Sequence, residues 1–465
     1  MRQSTCTAGR RTVAATFLVL TVLTLGLFRG GSLGSPATAY AAPAGGAQAN
    51  ADPSASKVGL VREALSAIYG RYFNPVSGTD LMSAAWNVAV ATAQDAGNYA
   101  PPPTPNFSGS VNSAFMRFAA AYQQLEAATP VDPTRLAYAA IGGMVDLINN
   151  CHTYFLPPTS AAAQRAVLNG NDVVGPGYKR TYNENPPWAI IYTVPNGPAD
   201  RAGITQGDSI LAYDGDSSPS APSTHIKTEG QILTLTIQRP GEQTTRDIPI
   251  TIGRYHFPRV EARIVAGNVG YIRFFTWEDS NAQALAIRDA IADFERQGVT
   301  SWVLDVRANG GGAPEAIAKL FIASGVIMQE RLRDGGSAVL NADGSAITPP
   351  RPLAILIGPG SASASEIIPE AIRESGRAAL IGDHTEGCMA GTTETPLSDG
   401  SSIWVTTDHV LVGTSARDFE GIGIDPDIFA PQSAEDLAFG RDPGLDAAVA
   451  YLQQITAQPA PATTP

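Results

Sequence analysis

The chain has 465 residues, 43 acidic against 31 basic, a net charge of −12, and 44% apolar residues beside 16% charged ones. That much apolar side chain excludes a disordered polyelectrolyte, and an acidic balance without a basic cluster excludes nucleic acid as a partner. Three cysteines exclude a disulfide scaffold and a paired zinc-finger spacing.

In chain order, residues 1–41 read as an export signal. Arg2, Arg10 and Arg11 precede the uncharged run Val13–Phe28, and Ala39-Tyr40-Ala41 offers a cleavage site. The run is short for a membrane span, which needs about 20 apolar residues, so the membrane is a partner only if this segment is retained as an anchor. The body is therefore expected outside the cytoplasm (periplasmic, cell-surface or secreted), where disulfides persist. Residues 42–54 form a small-residue linker. Over 55–160 the apolar spacing is helical: Val58, Leu60, Val61, Ala64, Leu65 and Ile68, then Phe115, Phe118, Tyr122 and Leu125, then a helix from Pro133 to Ile148. Over 165–255 the pattern changes to short β runs at Ala189–Val194, Ser209–Tyr213, Leu233–Gln238 and Asp247–Ile252. From 256 to 440, β runs at Val269–Phe275, Ser301–Val306, Leu353–Ile357 and Ala378–Ile381 alternate with helical segments over 281–297, 314–323 and 365–375. That alternation predicts an α/β layer with ligands at strand ends. Residues 441–465 read as a last helix and a Pro/Ala/Thr tail.

Three segments can carry chemistry. Gly360-Ser361-Ala362-Ser363-Ala364-Ser365-Glu366 lies between a β run and a helix, where small residues can present a nucleophile and free helix N–H groups favour an oxyanion. The same residues also read as a helix cap, Ser363 with Glu366 three positions on. Asp305-Val306-Arg307-Ala308-Asn309-Gly310-Gly311-Gly312 follows another β run, and its glycines would let N–H groups approach a carbonyl, or simply make a turn. In the small β region, Gly175-Pro176-Gly177-Tyr178 precedes the run Pro198–Ile210. A glycine loop before an edge strand can hold a peptide carboxylate; a plain β module is the alternative.

With Gly421-Ile422-Gly423-Ile424-Asp425-Pro426-Asp427, these motifs make the chain resemble the carboxy-terminal processing serine peptidases and their tricorn-core relatives over residues 57–430. The resemblance implies a crotonase-like α/β catalytic core, an inserted PDZ-like β domain and an N-terminal helical region. It implies Ser363 as nucleophile, the N–H groups of Gly311 and Ala364 as oxyanion hole, and Gly175, Gly177 and Tyr178 as the PDZ carboxylate loop.

The pattern breaks at the base. The processing peptidases carry a lysine 25 positions after the serine; here that residue is Cys388, and no lysine follows Lys319. The tricorn-like branch instead has a histidine after its helical region, matched by His152 in Asn150-Cys151-His152-Thr153, and a glutamate matched by Glu420. An imidazole can take a serine proton at neutral pH. In this frame Cys151 adjoins the base and Cys388 lies near Ser363; with Cys6 in the signal, the two are expected to form a disulfide. His225, His256, His384 and His409 lack a motif context. No cofactor is implied, and no metal-ligand spacing is present.

The expected activity is that of an exported serine endopeptidase that binds protein C-termini and cleaves peptide bonds through an acyl-enzyme on Ser363. The alternative is an inactive peptidase-fold scaffold that holds C-termini; a Cys388 thiol nucleophile is a third reading. The expected partners are proteins or peptides with a free C-terminus.

Overall fold

The computed structural model describes residues 56–457 except 98–99, 170, 182–184, 219–220, 226, 276–279 and 314. The expected signal, linker and tail lie outside the described residues. The described chain divides into two compact units, one of residues up to Ile148 together with Leu397–Asp399, the other of Asn149–Pro396 and the remainder from Gly400.

The first unit is helical: α1 (Val58–Arg71), α2 (Gly78–Asp95), α3 (Val111–Ala128) and α4 (Pro133–Ile148). Each predicted apolar face is buried, including Val61, Ala64 and Ile68 of α1 and Phe118, Tyr122 and Leu125 of α3. The serines before α2 and α3 cap them: Ser77 Oγ accepts from Asp80 N–H and Ser110 Oγ from Ser113 N–H. Helix α2 carried little sequence signal, because its buried face is largely alanine (Ala85, Ala89, Ala93) around Met82 and Trp86. Gly143 of α4 lets the two helices close up, since a Cβ there would lie 2.5 Å from Ala84 O.

The second unit opens with β1 (Tyr154–Leu156) and α5 (Pro158–Leu168). A β module follows: β2 (Val173–Gly175), β3 (Tyr178–Arg180), β4 (Trp188–Thr193), α6 (Pro198–Arg201), β5 (Ser209–Tyr213), α7 (Ala221–Thr224), β6 (Ile232–Gln238), β7 (Thr245–Thr251) and β8 (Gly253–Tyr255). Its antiparallel sheet has the order β3-β4-β5-β6-β7, with β2 paired to β8. Alternating side chains fill its own core, with Trp188, Ile190, Ile210, Leu235 and Ile250 all buried.

The α/β layer continues with β9 (Glu261–Val265), β10 (Val269–Arg273), α8 (Ser280–Arg296), β11 (Trp302–Asp305), α9 (Glu315–Phe321), β12 (Val326–Leu332), β13 (Ser337–Asn341), β14 (Leu353–Ile357), α10 (Ala364–Glu374), β15 (Ala379–Gly382), β16 (Ala390–Pro396), β17 (Ser402–Val412), β18 (Ile428–Phe429), α11 (Ala434–Ala438) and α12 (Pro443–Ala457). Strands β18-β15-β14-β11-β10 run parallel, and β9 adds antiparallel at one edge. Helix α12 covers this sheet, packing Ala448 and Leu452 on Val303, Leu356 and Ile381.

A second sheet, β1-β17-β12-β13 with β16 also on β17, was not expected from the sequence. Strand β16 reads Ala-Gly-Thr-Thr-Glu-Thr-Pro and shows no apolar alternation; tertiary pairing with the 11-residue β17 makes it a strand. The two sheets bring strand ends and loops of distant sequence together around Ser363.

Candidate active site

The buried strand β14 delivers the chain to the end of the parallel sheet, and the small residues Gly358–Ala362 let it double back into α10. Ser363 closes that turn at φ 55° and ψ −118°, a region that costs a non-glycine residue on the order of 1–3 kcal/mol. Its N–H is shared between Cys388 O at 2.8 Å and Glu366 Oε2 at 3.0 Å. Its Oγ is fully buried and has no hydrogen-bond partner among the described residues. A complete capping box would put that hydroxyl on the Glu366 N–H, which instead donates to Ser363 O at 2.8 Å. Only the Glu366 half of the cap forms. This is the backbone arrangement of a nucleophile elbow.

Glu366 organises the facing loop. Besides Ser363 N–H, its carboxylate accepts from Thr385 Oγ1 at 2.5 Å, Gly387 N–H at 2.8 Å and Cys388 N–H at 3.0 Å. Burial raises its pKa, and these four donors oppose that shift. The Gly421–Asp427 motif braces the same loop: Gly421 N–H donates to Gly387 O, and Ile424 N–H to Thr385 Oγ1. A Cβ on Gly387 would come within 2.8 Å of Gly423 N.

His152 sits on the turn between α4 and β1 and is fully buried. Asn150 fixes this turn: its Oδ1 accepts from His152 N–H at 2.9 Å and from Thr406 Oγ1 on β17 at 2.7 Å. Cys151 and Cys388 are joined, with sulfurs 2.08 Å and Cα atoms 6.1 Å apart. His152 Nδ1 lies 3.3 Å from each sulfur and 3.9 Å from Glu420 Oε1. Glu420 also accepts from Asn150 Nδ2 at 3.0 Å and from Met389 N–H. Burial works against its charge, yet His152, Met389 N–H and Asn150 together hold the carboxyl below the usual carboxylate range.

The structure thus gathers Ser363, Cys388, Cys151, His152 and Glu420 into one cluster. Ser363 and His152 are not hydrogen-bonded, because the imidazole packs on the disulfide. A disulfide sulfur is no thiolate, so this state excludes Cys388 as a nucleophile.

Of the expected oxyanion donors, Ala364 is the first residue of α10 and so has no intrahelical acceptor for its N–H. Gly311, at φ 108°, differs from expectation: its N–H donates to Asn309 Oδ1 at 2.9 Å. Asn309 holds the loop in this form, its Nδ2 donating to Phe274 O and its own carbonyl accepting from Ala362 N–H. Presenting Gly311 N–H to a substrate requires a peptide rotation. Below this loop Arg307 joins Asp305 to Asp442 through bonds of 2.7 Å. Burial disfavours the Asp305 charge, but Arg307 overrides it and keeps the carboxyl ionised.

In the β module, Gly175, Pro176 and Tyr178 line a cavity of about 300 Å³ with Tyr213, Leu233 and Ile252. Gly177 turns at φ 79°, and a Cβ there would meet Pro198 at 2.9 Å. Lys179 Nζ donates to Phe275 O and Ala308 O, so β3 is tied to the loop that holds Asn309. Burial, with Arg273 nearby, pushes its pKa down to about 7. The remaining histidines sit beside carboxylates: His225 by Asp214 and Asp216, His384 by Asp425, His409 by Asp418, and His256 by Asp172.

Sequence reasoning missed Asp408. It is a buried β17 carboxylate whose pKa burial raises, with Thr407, Gly391 N–H and His152 opposing that shift. Only its place on an unpredicted strand could have revealed it.

Residues 268–430 match the family model described as peptidase family S41. A carboxyl-terminal-processing protease of Picosynechococcus sp. is 30% identical over 308 residues, covering 64% of this chain and 73% of that protein. The chain belongs to peptidase family S41. The chloroplastic carboxyl-terminal-processing peptidase 2 of Arabidopsis thaliana is 32% identical over 326 residues, and the match spans 62% of its length, less than two thirds. The solved structure of a photosystem II D1 C-terminal processing protease aligns with a TM-score of 0.53 at 26% identity, covering 81% of this chain and 97% of that one. The mixed α/β fold is therefore an S41 peptidase fold. Among the described residues, no helix is long and apolar enough to cross a membrane.

Proposed function

We propose that this S41 member is an exported serine endopeptidase that acts on protein C-termini. Ser363 attacks a peptide carbonyl to form an acyl-enzyme that water then hydrolyses. The observation that carries the reading is the strained Ser363 backbone with an unpartnered, buried hydroxyl. His152 serves as base and then acid once its ring swings from the disulfide toward Ser363. Glu420 orients that ring, and Ala364 N–H with a rotated Gly311 peptide holds the oxyanion. The reading is that of the histidine-containing, tricorn-like branch, and Cys388 at the dyad lysine's position supports it.

The core is read as crotonase-like and residues 165–255 as a PDZ-like insert. In that insert the Gly175–Tyr178 turn would receive a substrate's C-terminal carboxylate while its chain lies in the adjoining cavity. Pro176 has no N–H, so the donors are Gly175, Gly177 and Tyr178.

The test is labelling of the full chain by a fluorophosphonate and turnover of an unfolded protein with a free C-terminus. Covalent modification at Ser363 with turnover supports the peptidase. Absence of both, with retained binding of peptides carrying a free rather than amidated C-terminus, identifies a scaffold instead.

A further inference from the structure

The disulfide hides a cluster in which Cys151, His152 and Cys388 bring their ligand atoms within 4.8 Å of one another, with Glu420 at its margin. Cys151 Sγ, Cys388 Sγ, His152 Nδ1 and Glu420 Oε1 come from three separate loops. The His152 nitrogen is 3.3 Å from each sulfur. Glu420 Oε1 is 3.9 Å from both Cys151 Sγ and His152 Nδ1. Tetrahedral zinc with bonds of about 2.0–2.3 Å needs ligand-to-ligand edges of roughly 3.4–3.8 Å. The two His152–sulfur edges are near that range, the Glu420 Oε1 edges to Cys151 Sγ and His152 Nδ1 are slightly longer, and the sulfur–sulfur edge is held far below it by the covalent bond. Breaking that bond lets the edge open.

We propose that, on reduction of the Cys151–Cys388 disulfide, these four atoms form a binding site for one zinc ion. A dithiol reductant supplies two electrons and two protons, cleaving the S–S bond to two thiols while becoming a disulfide itself. Zinc then displaces both thiol protons to solvent and gains two Zn–S bonds, one bond to His152 Nδ1 and one to Glu420 Oε1; the imidazole proton resides on Nε2. Two thiolates, an imidazole and a carboxylate suit zinc by softness and by count.

The outer partners are already placed. Asn150 holds Glu420 Oε1 through Nδ2 and the His152 N–H through Oδ1, and Met389 N–H holds Glu420 Oε2. Cys151 is exposed while His152 and Cys388 are buried, so the ion enters from the Cys151 side and ends against protein. Residues 151, 152, 388 and 420 share no ligand spacing, so the set is visible only in the fold. Resting on the reading of His152 as base, zinc on Nδ1 would pin the imidazole and silence the peptidase in a reducing, zinc-replete environment.

The test uses the full chain, oxidised or reduced and then freed of reductant without air, titrated with zinc alone and with cobalt(II) alone. The expected result is one equivalent bound by the reduced protein and none by the oxidised. Cobalt should show a thiolate charge-transfer band and the intense visible bands of a tetrahedral site. Glu420→Gln should weaken binding at least about tenfold, which an unfolded chain would not show. No stoichiometric binding by the reduced protein overturns the site. So does equal binding by the Cys151→Ser/Cys388→Ser double variant, or loss of near-ultraviolet circular dichroism on reduction. If zinc binds as described while peptidase activity persists, the base reading of His152 fails and the metal site stands.

Discussion

Cys388 touches both halves of the proposed catalytic pair: its carbonyl accepts the Ser363 N–H at 2.8 Å, and its sulfur lies 3.3 Å from His152 Nδ1. One residue therefore sets the backbone of the nucleophile and the resting position of the imidazole. Ser363→Ala should abolish turnover and fluorophosphonate labelling. His152→Ala should lower kcat by at least about a thousandfold, the scale of losing a triad member, with the fold retained by circular dichroism. Near-normal kcat in His152→Ala would mean that another group is the base.

Glu366→Gln should destabilise the protein by about 1–3 kcal/mol in a denaturant titration, because the new amide presents donors where the carboxylate met four donors. It should also lower kcat, since the Ser363 turn and the Cys388 loop lose their shared acceptor. A variant as stable and as active as the parent would show that Glu366 does not organise the turn.

Glu330 and Asp408 are both buried on paired strands, and burial, then the charges of Asp408 and Glu315, raise the Glu330 pKa to about 8. A carboxyl raised in the folded state binds its proton more tightly there than in the unfolded chain. Its contribution is complete below the ordinary glutamate range and is lost as pH rises through about 8. Glu330→Gln should therefore gain stability relative to the parent between pH 5 and about 8, measured as paired denaturation midpoints. A pH-independent difference would exclude the shift.

Peptide mapping of the non-reduced protein should recover Cys151 linked to Cys388. The bond closes a loop of 237 residues, for which the chain-entropy relation gives about 5 kcal/mol as an upper estimate. Reduction should accordingly lower the unfolding midpoint. Alkylation of both thiols without reductant would show that the pair is not joined.

The parallel sheet and the four motifs were legible because they are local: apolar runs between glycine-rich turns, and residues of fixed type at fixed spacing. What escaped was made by pairing across the sequence. Strand β16 lacks alternation, and β17 mixes Thr406, Thr407, Asp408 and His409 into its run, so neither reads as a strand until they lie together. Asp408 was hidden for the same reason. The engagement of Gly311 with Asn309 was invisible too, because a Gly-rich loop admits several peptide orientations and spacing does not choose among them.

The turn that holds His152 leans on β17 through a bond spanning 256 positions, Asn150 to Thr406, and on Glu420 through another spanning 270. Strand β1, just beyond the histidine, has β17 as its neighbour. A growing chain that already contains residue 152 therefore lacks the full set of contacts around the imidazole until the segment through residue 420 has emerged. Ser363 appears before its supporting loop is closed by the Gly421–Asp427 motif. On the proposed mechanism, competence to cleave is thus a late event of synthesis, and a chain cut short before this segment carries the serine and the histidine without the contacts that bring them together.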